Sequence, residues 1–76
     1  METAVFKSYE NGYYTFLFEN GLDMVFEEIH PKALYQYNLK GDSSFVGKTF
    51  KLTFSEIFED SEDDFIIYRI ESLKLL

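Results

Sequence analysis

Two Asn-Gly pairs, Asn11-Gly12 and Asn20-Gly21, lie between short runs of alternating apolar residues, and nothing else in the chain constrains its fold so tightly. Asn-Gly accepts the positive φ angles of a two-residue hairpin turn, so each pair is expected to fold the chain back on itself. The pairs predict a three-stranded meander: a first strand from about Thr3 to Tyr9, a second from Tyr13 to Glu19 and a third from Leu22 to Ile29. Tyr14, Phe16 and Phe18 alternate with Tyr13, Thr15 and Leu17, and Leu22, Met24 and Phe26 alternate with Asp23, Val25 and Glu27. That period of two turns the even-numbered residues toward a core.

After Ile29 the pattern changes. His30-Pro31 supplies an N-cap followed by proline at the first helical position, and Ala33, Leu34 and Tyr37 recur at helical spacing. One short helix is predicted over about residues 31–39, ended by Gly41 in the left-handed conformation. Asp42-Ser43-Ser44 reads as a polar loop anchored by Phe45-Val46. Gly47 then precedes a fourth strand, Lys48 to Ile57, in which Phe50, Leu52 and Phe54 alternate with Lys51, Thr53 and Ser55. Five carboxylates between Glu59 and Asp64 repel one another and keep their hydration, so this run is expected to be a hairpin loop. A fifth strand follows from Phe65 to about Leu75. Its residues Ile66, Tyr68 and Ile70 share one phase and Leu73 and Leu75 the other, which requires a bulge or bend near Glu71-Ser72.

The resulting order, β-β-β-α-β-β with a single helix between strands three and four, resembles the OB-fold. The resemblance spans residues 1–76 as one domain and rests on Asn11-Gly12, Asn20-Gly21, His30-Pro31, Gly47 and the order of elements. It implies a mainly β protein built as a five-stranded antiparallel barrel. The helix would close one end, with Leu34 and Tyr37 beneath Phe16, Met24 and Leu52. Strand five would pair with strand one and tuck Leu73 and Leu75 inside. The alternatives are an SH3-like barrel and an open antiparallel sheet with the helix across one face; closure is favoured because it hides hydrophobic edges.

Composition sets the limits on function. With 76 residues and no Cys, the chain has neither disulfides nor thiolate-held zinc to stabilise it, and its nine Phe and six Tyr must serve instead. Phe6, Phe16, Phe18, Phe26, Phe50 and Phe54 are the expected core. Fourteen Asp and Glu against seven Lys and Arg give a net charge of −7, the wrong sign for a phosphate backbone. Without a basic and apolar leader or a long apolar run, the chain is expected to be cytoplasmic and away from membranes.

Candidate chemistry is sparse. Starting at Asp60, carboxylates fall at positions 1, 3, 5 and 12 of a calcium loop (Asp60, Glu62, Asp64, Glu71), but Phe65 stands where the turn needs glycine. His30, the single histidine, has a sufficient structural reason in starting the helix. Gly47-Lys48-Thr49 resembles only the tail of a phosphate-binding loop, and Asp42 occupies the place of its upstream glycine. No catalytic, cofactor-binding or metal-ligating set is therefore predicted.

The OB resemblance points to single-stranded nucleic acid as a ligand, bound by aromatic stacking across strands two and three. The outward residues of strand three, Asp23, Val25 and Glu27, with Glu28 after them, oppose it, although Tyr13 is placed to stack. Lys7, Lys51 and Arg69 are expected to serve as partners for carboxylates such as Glu71. Fifteen aromatic side chains exceed what so small a barrel encloses, and Tyr9, Tyr13, Tyr35 and Phe58 are the candidates for a protein-contact surface. The sequence thus favours a non-enzymatic module, a monomer in preference to a homodimer, that binds another protein through exposed tyrosines and an acidic surface. Nucleic-acid binding is the alternative and a small-molecule enzyme the third class.

Overall fold

A computed structural model describes residues 1–58 and 66–76. Among these residues the chain forms strands β1 (Glu2–Glu10), β2 (Tyr13–Phe18), β3 (Asp23–Phe26) and β4 (Glu28–Ile29), then helix α1 (Pro31–Gln36) and a 3-10 turn at Ser43–Phe45. Strands β5 (Thr49–Phe58) and β6 (Ile66–Leu75) complete it. The six strands make one sheet in the order β3-β2-β1-β5-β6-β4. The acidic run and Phe65, and with them most of the calcium-loop register, lie outside the described residues.

The two Asn-Gly pairs turn the chain differently. Asn11 and Gly12 both have positive φ, 53° and 86°, and connect the paired residues Glu10 and Tyr13 as a two-residue turn. At the second pair only Gly21 is left-handed. Its N–H donates to the Phe18 carbonyl and the Phe18 N–H donates to that of Leu22, so three residues form the loop. Asn20 uses its side-chain oxygen to accept the Leu22 N–H, which leaves Leu22 outside the strand and exposed.

The expected five-stranded antiparallel barrel is replaced by an open, mixed sheet. Its third strand breaks at Glu27, and the continuation β4 runs parallel to β6, pairing Glu28 with Arg69 and Ile29 with Ile70. Glu27 itself bridges to Tyr68 twice. Its N–H donates to the Tyr68 carbonyl at 3.1 Å, and its carboxylate accepts the Tyr68 N–H at 2.7 Å. Strand β3 forms no ladder with β6; the rings of Phe26, Phe54 and Tyr68 stack edge to face between them, with centroids 5.3 and 6.3 Å apart. Strand β1 pairs with β5, not with the last strand. Two bonds at the turn before β5 set this up: the Phe6 N–H donates to the Lys48 carbonyl, and the Gly47 N–H donates to that of Phe6.

Two bulges keep the core side apolar. In β6 the register against β5 jumps from Thr53–Ser72 to Phe54–Ile70, so Glu71 is the extra residue and both Ile70 and Leu73 are buried. This is the bulge that the phase conflict requires. In β1 the jump from Phe6–Phe16 to Ser8–Thr15 makes Lys7 the extra residue. Tyr9 is thereby turned to the same face as Phe6.

Helix α1 starts as predicted, with His30 Nδ1 accepting the Lys32 N–H at 3.1 Å and Pro31 following. It ends early, at Gln36 rather than near residue 39, and Gly41 is not left-handed. Stopping there lets Tyr37 swing inward: its ring packs on Phe45 and Phe50, its hydroxyl accepts the Leu75 N–H, and Leu39 is buried beyond it. The core gathers Ala4, Phe6, Tyr14, Phe16, Phe18, Phe26, Phe50, Leu52, Ile70 and Leu73 around these contacts; Phe54 is half-buried against it.

Candidate functional site

The four aromatic candidates fall on four elements and do not converge. Tyr35, on the outer side of α1, is 93% exposed, and Phe58, at the end of β5, is 71% exposed. Tyr13 opens β2 and is 46% exposed. Tyr9, turned inward by the Lys7 bulge, is half-buried: its ring lies 4.7 Å from that of Tyr14, with the Lys40 ammonium 5.9 Å from its centre.

A cleft of about 390 Å³ opens where the β3–β4 break meets α1, lined by Tyr14, Glu27, Glu28, Leu34, Lys40 and Arg69. Burial, and then the neighbouring Tyr9, push the Tyr14 phenol up to about 12. Of the cleft's charged groups, two have defined tasks. Glu27 holds the Tyr68 N–H, and Arg69 donates through Nε to Glu71 at 2.6 Å. Ser55 also donates to Glu71, at 3.0 Å. These bonds, Arg69's first, hold the Glu71 carboxyl below its ordinary value. Lys51 differs from Arg69, since its register partners are Thr3 on β1 and Lys74 on β6.

No family model, curated protein or solved structure matches the chain. Among the described residues no three His, Asp or Glu side chains come together to hold a metal ion, and no helix is long and apolar enough to cross a membrane. His30 Nδ1 is engaged in capping α1.

Sequence reasoning missed the arm that β5 and β6 build. Strand β1 pairs with β5 only from Thr49 to Leu52, whereas the β5–β6 ladder continues to Phe58–Ile66. Past Leu52 the β5 edge of the pair therefore overhangs β1, while β6 keeps β4 beside Arg69 and Ile70. Phe54, Glu56 and Phe58 share one face with Ile70, Tyr68 and Ile66, their cross-strand partners. This face is buried at Ile70, half-buried at Phe54 and Tyr68, and exposed at Glu56, Phe58 and Ile66. Lengths of alternating pattern reveal strands but not where a neighbouring strand stops, so the overhang had no sequence signal beyond the unequal lengths of the first and fourth strands.

Proposed function

We propose that this chain is a non-catalytic protein-binding module that uses exposed aromatic side chains on an acidic surface. The observation that carries the reading is the exposure of Tyr35 and Phe58 in a domain whose other large aromatics are mostly packed. Large aromatic side chains in water are costly to leave uncovered and are enriched where proteins meet. Capping by His30 and the pairing of Arg69 with Glu71 give structural tasks to residues that could otherwise serve chemistry. The net charge of −7 favours a basic partner.

The OB-like reading of the fold is supported by the order of elements, with α1 between the meander and the last two strands. Single-stranded nucleic acid is the ligand that this likeness suggests, and exposed Tyr13 is its best support. Exposed Asp23 and Glu28 and the net charge weigh against it.

Photo-crosslinking residues placed at positions 35 and 58 and expressed in the native host test the proposal. The expected result is a discrete adduct with another protein from at least one position. Labelled DNA or RNA homopolymers that bind at micromolar concentration, with affinity falling steeply as salt rises, would overturn it in favour of nucleic acid.

A further inference from the structure

We infer that the edge of β5 at Phe54–Phe58 accepts a basic, extended segment of a partner protein as an added strand. This rests on the protein-binding reading above and assigns it a place and a chemistry. Strand β1 begins at Glu2, opposite Leu52. Beyond that point β5 keeps β6 on one side, and among the described residues no strand lies on the other. Alternate backbone N–H and C=O groups along such an edge have no ladder partner, and an incoming strand satisfies them. The added strand would continue the line of β1.

The side chains on this edge specify its occupant. On the core-side face β5 presents Phe54, Glu56 and Phe58 in succession, with exposed Ile66 beside Phe58. Residues directly opposite in an antiparallel pair interact most strongly. The matching segment therefore places Lys or Arg opposite Glu56, flanked two residues away on each side by aliphatic or aromatic residues opposite Phe54 and Phe58. Glu2, in register with Leu52, adds a second carboxylate on the same face. A second copy of the chain fits poorly. Two molecules of charge −7 would meet, and antiparallel pairing of β5 with itself about Glu56 would set two carboxylates face to face. An inward charge in mid-edge discourages self-association while leaving the edge open to a cationic strand.

The test is an amide-resolved NMR titration of the whole ¹⁵N-labelled chain with an acetylated, amidated peptide of core Leu-Thr-Lys-Thr-Leu, beside a twin with Glu replacing Lys. The expected result is shifts confined to Phe54–Phe58 and Ile66–Tyr68, slower hydrogen exchange at alternate amides of 54–58, and about fivefold weaker binding of the Glu twin. In Glu56→Lys, an exposed change, the preference between the two peptides should reverse. Absence of shifts at these amides, shifts centred on Tyr13 or Tyr35, or no reversal in Glu56→Lys overturns the proposal. So does sedimentation showing a dimer whose 54–58 amides are protected before peptide is added. If the peptides fail while position 35 still cross-links a host protein, the strand site falls and the protein-binding reading stands; if both fail, both fall.

Discussion

Phe16 and Phe58 are the same residue in the same kind of strand, and they meet opposite environments. Phe16 is fully buried, with Phe6, Phe26 and Phe50 at ring distances of 5.2, 5.9 and 6.2 Å. Its strand, β2, has β1 on one side and β3 on the other. Among the described residues Phe58 has β6 alone beside it, and it is 71% exposed. Burial here follows from how many elements surround a position, not from the hydrophobicity of the residue. The packed half of the sheet carries stability, and the overhanging half leaves apolar surface available for contact.

The largest effect is expected at the C-terminus, on the packed side of this contrast. Removing residues 73–76 deletes buried Leu73 and half-buried Leu75, together with the Leu75 bond to Tyr37 and the Leu76 bond to Thr49. A buried leucine is worth about 2–5 kcal/mol as a change to alanine, against a stability of roughly 5 kcal/mol for a domain this small. The truncated chain should show no cooperative urea transition; a retained transition with a dimer falling to monomer in sedimentation would assign these leucines to an interface.

Next comes the direct contrast. Phe16→Ala should cost about 3–5 kcal/mol, whereas Phe58→Ala should stay within about 0.5 kcal/mol of the parent. Urea melts of both variants decide it, and a large loss in Phe58→Ala would mean that the arm is part of the core. The join between the two halves is probed at Glu27. Glu27→Ala strands the Tyr68 N–H and should cost about 1–3 kcal/mol, while Glu27→Gln, which keeps an acceptor, should cost less. Equal losses in the two variants would show that the carboxylate-to-amide bond does not hold the break together.

The smallest effect lies at the base of the arm. Because Arg69 and Ser55 hold the Glu71 carboxyl below its ordinary value of 4.5, the folded chain releases that proton more readily than the unfolded one. Its contribution is complete above about pH 5 and declines as pH falls through the lowered folded value. The group is near the surface and screened by solvent, so the effect is modest. Urea midpoints measured downward from about pH 5 should fall more in the parent than in Glu71→Gln; parallel curves would remove Glu71 from the account.

Much of this architecture was legible in local pattern. The Asn11-Gly12 turn, the His30-Pro31 start of α1 and the Glu71 bulge each depend on residues close in sequence, whose backbone preferences or phase conflict announce them. The core phenylalanines of β1, β2, β3 and β5 were readable from alternation for the same reason. The Lys7 bulge was not, because Tyr9 is compatible with either face and nothing beside it forces a choice. Among the candidate contact residues, exposed Tyr13, Tyr35 and Phe58 could be named from an excess of aromatics, but Tyr9 lost its exposure to that bulge.

Short-range signals were enough to specify a β-rich chain with a meander, one short helix and a final strand pair, since turn chemistry and a period of two act over a few residues. That the sheet stays open was settled only by long-range packing. Glu27 bonds to Tyr68, 41 positions away, and breaks the third strand, and Tyr37 leaves the helix to meet Phe50 and Leu75. Each of these outcomes depends on which distant groups compete for the same hydrogen bonds and the same core space, a competition that short-range pattern does not encode.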